Sequence, residues 1–326
     1  MPARAPRRSF LRETPWRWTD VLIGFAPLLL FDVVTLLIDP RSSLATALRR
    51  FWIPLTLLGQ VWMLVVPLWI ARRRTNVSAR IPRVRAVLIE ALFALLGLPV
   101  LFASATVVFL IVANLSSGSE SPGMPWAPLA GSFAGIEWLA FVIMAIGLSP
   151  VAEEMLYRGL FYNALRQRLH PILAAAVQAA VFGYEHPFGL AQSAGIGMAG
   201  LVLALVYEWR KTILAPILLH AAMNTMGIGL LALSLAADAA APRLGVLGEA
   251  GQGGCVVKRV LPGSAAGTAG IEVGDVITLV DGEPVADVPS LARVVRKHQL
   301  GDVVSIEFRR GGKVHRADVV LVRLRE

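Results

Sequence analysis

The sequence predicts a multi-pass all-α membrane bundle followed by a small soluble β-rich (α+β) domain. Three observations carry that prediction. Of the 326 residues, 56% are hydrophobic and only 16% charged, whereas soluble domains carry roughly a quarter charged residues. The apolar residues are gathered into blocks at 21–38, 51–71, 86–113, 133–148, 188–208 and 212–237. Most of these supply the about 20 residues that a crossing takes. After Pro242 the pattern changes to short β-branched runs divided by Gly, Pro and Asp, which is how strands and tight turns read.

Residues 1–237 are therefore the expected polytopic membrane domain, and 242–326 the soluble one, with the Ala-rich stretch 236–241 as the linker. The net charge of +9 does not point to nucleic acid, because the arginines sit beside the apolar runs and so face a lipid bilayer. Arg4, Arg7, Arg8 and Arg12 precede the first run. Arg72, Arg73, Arg74, Arg80, Arg83 and Arg85 separate the second from the third, and the loop 114–132 has no Lys or Arg. The positive-inside rule puts both clusters in the cytoplasm and that loop outside. By the same rule Arg210 and Lys211 mark a cytoplasmic turn, so the last span exits outward and carries the soluble domain there. Segment 171–187 is apolar but shorter, and Pro150 is placed to break the helix around it. The basic, then apolar, N-terminus has Ala45-Thr46-Ala47 as a candidate cleavage site, but well beyond the first apolar run, so an uncleaved first span is expected. Cys255 is the only cysteine, which excludes an intrachain disulfide and a cysteine-based metal site.

Three polar clusters interrupt the apolar helices. In "EEMLYR", Glu154 and Arg158 are four apart and share a helix face, with the acid on the favourable N-terminal side. Glu153 points about 100° away and is free for other work. In "FGYEH", Phe182 and His186 share a face, and in "HAAMN" so do His220 and Asn224. Each has a plainer reading: a charged juxtamembrane patch for the first, a helix-end hydrogen bonder for His186, and interhelical glue for His220 and Asn224. Asp32, Glu90 and Glu137 look isolated and read as helix-end or packing residues. Ionisable groups inside a membrane are costly and usually functional. A carboxylate with two imidazoles suggests water activation, either through a divalent metal, zinc above all, with an open position, or by a carboxylate acting as general base. The HExxH signature of soluble zinc proteases is absent.

The soluble part reads as strand, helix, strand, a second helix at "PSLARVVRKH" and a hairpin around Gly311-Gly312. With "VLPGSAAGTAGIEVGDVITLVDGEPV" it resembles a PDZ domain of the bacterial type found in HtrA-like and site-2-type periplasmic proteases. That resemblance implies a carboxylate-binding loop at Leu244-Gly245-Val246. It further implies a peptide paired with the strand at about 254–260, and apolar pockets from Leu291, Val294 and Val295 that favour an apolar C-terminal residue. Such domains take a peptide as an added strand.

EExxxR, FxxxH and HxxxN, in this order on successive hydrophobic helices over about 133–235, resemble the CPBP family of intramembrane proteases. It is also called the CAAX-protease and bacteriocin-processing, or Abi, family, and includes the prenyl-protein endopeptidase Rce1. The resemblance implies an intramembrane endopeptidase acting on membrane-associated protein substrates in a bacterial cytoplasmic (inner) membrane. Glu153 and His186 would activate water, His220 and Asn224 would stabilise the oxyanion, and Glu154 and Arg158 would hold the geometry. The metal-assisted form would use Glu153, His186 and His220 as ligands. Tyr157 stands where Phe is usual. The appended PDZ domain is absent from most members and weakens the expectation of a prenylated CAAX substrate. The alternatives are a non-catalytic adaptor that holds partners through its PDZ domain, and a transporter, for which no inverted repeat is visible.

Overall fold

The computed structural model describes residues 10–38, 52–75, 83–116, 135–186 and 189–322. Arg4, Arg7, Arg8, Arg80, Ala45-Thr46-Ala47 and most of the loop 114–132 lie outside those residues. The chain forms two compact units that part between Leu231 and Ala232.

The first unit is helical: α1 (Phe10–Glu13), α2 (Trp18–Leu37), α3 (Trp52–Arg74), α4 (Val84–Leu115), α5 (Ile136–Arg166), α6 (Pro171–Tyr184), α7 (Leu190–Arg210) and α8 (Leu214–Ala240). Among the described residues five helices are long and apolar enough to cross a membrane: Pro54–Arg74, Val84–Leu115, Ile136–Arg166, Leu190–Arg210 and Leu214–Ala237. α2 adds 20 apolar-rich residues, and α6 is the short segment. The large side chains exposed on this unit, among them Leu30, Leu36, Leu88, Leu95 and Leu233, are those a bilayer solvates. The chain is a multi-pass membrane protein.

Pro150 does not break α5. Two π-helical stretches, Met144–Leu148 and Met155–Tyr162, flank the α-helical stretch Ser149–Glu154. Pro150 sits in the first turn of that stretch, where a missing N–H is tolerated, and the wider turn before it takes up the proline ring. π turns are rare and frequently found at functional sites. The amide of Asn163 bonds the carbonyls of Arg158 (3.0 Å) and Gly159 (2.9 Å), closing the second π stretch.

One end of the bundle is a belt of ion pairs. Arg74 at the end of α3 bonds Asp20 at the start of α2 (2.6 Å) and the carbonyl of Pro15 (2.8 Å). Glu208 accepts from Arg12 (2.7 Å), Lys211 (2.5 Å) and the Tyr162 hydroxyl (3.0 Å). Gln167 donates to the carbonyl of Thr14. Arg210 grips Glu90 with two bonds of 3.0 and 2.9 Å, so Glu90 is an ion-pair partner and not the isolated residue expected. The two are 120 positions apart, a pairing that no local pattern announces. Arg12, Arg74, Arg210 and Lys211, described basic residues that the positive-inside rule assigns to one side, thus meet at one end.

The second unit is an antiparallel sheet in the order β1-β2-β3-β5-β6, with β4 paired to β3. The strands are β1 (Val246–Gly251), β2 (Gly254–Val260), β3 (Val276–Val280), β4 (Glu283–Pro284), β5 (Val303–Arg310) and β6 (Lys313–Val320). The helices α9 (Ala265–Thr268) and α10 (Val288–Val295) complete it. The β5–β6 hairpin turns on Gly311 and Gly312, with φ of 56° and 82°; a two-residue turn of this kind needs positive φ at both central positions. Asp287 caps α10 by accepting from the Ser290 N–H (2.8 Å), and Ser290 returns a bond to the Asp287 N–H. Cys255, Val257, Ile277, Val280, Val304 and Ile306 form a separate core. Asp275 is buried at its edge and takes two bonds from Arg310, both 2.8 Å, and one from the Glu272 N–H. Burial pushes the Asp275 carboxyl up; the Arg310 and Glu272 bonds outweigh that and hold it below the usual carboxylate range.

Candidate active site

α5 delivers the acidic pair. Glu154 and Arg158 are both fully buried, one helical turn apart, and joined at 2.8 Å. Arg158 donates its other terminal nitrogen to the carbonyl of Gly200 on α7 at 2.7 Å. Two charges at this depth persist only because they neutralise each other and keep hydrogen-bond partners.

His220, on α8, completes a chain. Its Nδ1 lies 3.0 Å from the same Glu154 oxygen that holds Arg158, and its Nε2 lies 3.8 Å from Glu153. A carboxylate only accepts, so Nδ1 carries a proton, and Nε2 is the ring nitrogen turned toward Glu153. The two glutamates differ in exposure: the Glu154 side chain is 0% exposed and that of Glu153 15%. Glu154 is locked into structure, while Glu153 is reachable.

His186 follows the C-terminus of α6. Its Nδ1 donates to the carbonyl of Phe182 at 2.7 Å, which again fixes the tautomer and leaves Nε2 as the lone-pair nitrogen. The Phe182 ring lies 4.9 Å from the His186 ring and 6.0 Å from the His220 ring. Asn224, one turn beyond His220, donates to the carbonyl of Ala145 at 2.8 Å and so ties α8 to the first π stretch of α5. Among the described residues, no three His, Cys, Asp or Glu side chains stand close enough together to hold a metal ion. Glu153, His186 and His220 therefore do not form a closed ligand set in this arrangement.

A cleft of about 370 Å³ lies in the second unit, between β1 and α10. Leu244, Gly245, Val246 and Leu247 line one wall, and Leu291 and Val295 the other. Gly245 has φ of 79°, a conformation that favours glycine, and its carbonyl accepts from the Leu261 N–H at 2.9 Å.

Residues 135–226 match the family model described as type II CAAX prenyl endopeptidase Rce1-like, and residues 242–321 match that of the PDZ domain. The chain joins an Rce1-like domain to a PDZ domain. Over the PDZ region it is similar to the serine protease Do-like HtrA of Lactobacillus helveticus, 53% identical over 51 residues, which are 16% of this chain and 12% of that protein. It is also similar there to the putative serine protease HhoA of Synechocystis sp., 43% identical over 60 residues, 18% of this chain and 15% of the relative. The matched segments thus span less than a sixth of these relatives. Among solved structures, the HtrA3 PDZ domain bound to a phage-derived ligand matches at 23% identity, over 24% of this chain and 84% of the other, with a TM-score of 0.23.

Within the Rce1-like domain, Glu153, Glu154, Arg158 and His220 stand in one contact chain, His186 adjoins it through Phe182, and Asn224 braces α5. The sequence did not single out Gly200 or Ala145, whose contributions are backbone carbonyls and carry no side-chain signal. Within the PDZ domain, Leu291 and Val295 line the cleft while Val294 packs in the core. The strand at 254–260 is not the one open to a peptide. β2 is hydrogen-bonded to β1 on one side and β3 on the other. The edge strands are β1 and β6; the cleft lies along β1, whose sequence VLGEAG, with its two glycines, reads poorly as a strand.

Proposed function

We propose that this protein is an intramembrane endopeptidase that hydrolyses peptide bonds of membrane-associated protein substrates, with Glu153 as the base that activates water. The observation that carries the reading is the chain Arg158–Glu154–His220–Glu153, in which a buried carboxylate orients an imidazole whose Nε2 faces a second, reachable carboxylate. Glu153, assisted by His186, takes a proton from water as the oxygen attacks the scissile carbonyl carbon. His220 and Asn224 stabilise the oxyanion. On collapse the C–N bond breaks and Glu153 returns the proton to the leaving nitrogen. General-base catalysis of this kind contributes about 10²–10⁴-fold. A metal-assisted version would need Glu153, His186 and His220 to draw together into a ligand set that the described arrangement does not form.

The PDZ domain is proposed to bind peptide C-termini along β1, with Leu244-Gly245-Val246 at the carboxylate and Leu291 in the pocket wall, or to control access to the membrane site. The belt of ion pairs supports a cytoplasmic end of the bundle in a bacterial inner membrane. α8 leaves that end, which supports an extracytoplasmic PDZ domain. The test is a comparison of membrane-protein N-termini in cells that lack the protein, carry it, or carry Glu153→Gln. New termini that require Glu153 support the reading. Termini that persist with Glu153→Gln refute Glu153 as the base, and a biological effect that persists without any cleavage leaves the adaptor.

A further inference from the structure

Phe182 sits at the centre of the candidate site. Its ring lies 4.9 Å from the Arg158 guanidinium, 4.9 Å from the His186 ring, 6.0 Å from the His220 ring, and 4.9 Å from Tyr157, which meets it edge-on at 89°. The residue that makes room for this ring is Gly200. A Cβ there would fall 2.8 Å from Phe182 Cδ1 and 3.3 Å from both its Cβ and its Cγ. These are atoms at the root of the side chain, so the ring cannot swing clear by rotating its far end. The same Gly200 offers its carbonyl to Arg158 at 2.7 Å. One backbone position on α7 therefore fixes the guanidinium from one direction and seats the aromatic ring that covers it from another.

We propose that Gly200 is a positioning residue for hydrolysis. The inference rests on the proposed protease function. Gly200 acts through two contacts, one polar and one steric, on the Arg158–Glu154–His220 chain. Real Cβ atoms essentially never come under 3.0 Å and ordinary contact begins at 3.4 Å, so a methyl group at Gly200 requires a shift of 0.2 Å (3.0 minus 2.8) at the least and of 0.6 Å (3.4 minus 2.8) to reach ordinary contact. The ring in turn touches Arg158 and both histidines. Misplacement of a catalytic array by about 1 Å costs on the order of 10²-fold in rate, and the loss falls on kcat because no substrate contact is removed.

The experiment compares wild type, Gly200→Ala, Phe182→Leu and the double variant. The substrate is a protein whose new N-terminus emerges from the cellular comparison above. Gly200→Ala is expected to lower kcat between about 10- and 100-fold with KM within about threefold. The smaller leucine relieves the overlap, so adding Gly200→Ala to Phe182→Leu costs less than about threefold, far less than in the wild-type background. Gly200→Ala within twofold of wild type, or costs that multiply in the double variant, overturns the proposal. Should Gly200→Ala not accumulate in membranes, the double variant carries the test alone: activity near that of Phe182→Leu supports the proposal, and activity tenfold lower overturns it. Cleavage that survives Glu153→Gln would instead refute Glu153 as the base, and a biological effect without any cleavage would sink the protease reading, which separates those failures from this one.

Discussion

Replacing Glu154 with Gln keeps the shape of the side chain and removes its charge. Arg158 is then left fully buried, its guanidinium held by the Gly200 carbonyl at 2.7 Å and covered by Phe182, but without the carboxylate now 2.8 Å away. Removing one partner of a buried ion pair costs about 3–5 kcal/mol, a large share of the roughly 5–15 kcal/mol that holds a domain folded. His220 Nδ1 then faces a neutral amide oxygen in place of the carboxylate 3.0 Å away, a weaker bond, so activity falls together with stability. The double variant Glu154→Gln/Arg158→Met removes the stranded charge. It is expected to regain most of the stability and none of the activity. Thermal unfolding of purified protein in detergent, followed by tryptophan fluorescence, reads the first quantity, and substrate cleavage the second. A Glu154→Gln protein within about 1 kcal/mol of wild type would refute the reasoning, as would a double variant no more stable than the single one.

The remaining expectations concern the metal, the acid limb and the groove. Excess chelator should leave the cleavage rate within about twofold of the untreated rate, since the described ligand set is open; loss of cleavage that zinc restores would establish the metal-held form. The depressed Asp275 carboxyl contributes stability that is fully present above its unfolded value of about 3.9 and is lost as pH falls through its lower folded value. Arg310→Met should therefore flatten the acid limb of unfolding for residues 242–326, and an unchanged limb would refute the assignment. In titrations of the same residues, apolar peptides with a free C-terminus should bind more tightly than amidated ones. Equal binding would favour access control over peptide capture.

Hydropathy made the bundle legible because each crossing is a local property of one run. The polar motifs were legible for the same reason: Glu154 with Arg158, and His220 with Asn224, are spaced by one turn of a single helix. What was hidden depends on distant partners. The pairing of Arg210 with Glu90 joins two helices that are far apart in sequence. Ahead of Pro150 the carbonyl of Ala145 is satisfied by Asn224 from a different helix, so α5 survives a residue that usually ends one. In the PDZ domain the apolar run at 254–260 announced a strand, but not that both of its sides are occupied. The open edge beside the cleft belongs to VLGEAG, none of whose residues is buried, so it carries little of the hydrophobic signal that marks a strand.

α6 has 14 residues, a rise of about 21 Å, against a hydrocarbon core of about 30 Å. It starts beside the ion-pair belt, and that rise is too short to reach the far interface. Peptide groups at such a depth need polar company, and the Ser193 hydroxyl supplies some of it by bonding the His186 carbonyl at 2.6 Å. A soluble hydrolase is immersed in its second reactant; a bilayer withholds it. For the proposed hydrolysis, a helix that ends at this depth offers water a shorter way to the bond than a full crossing would.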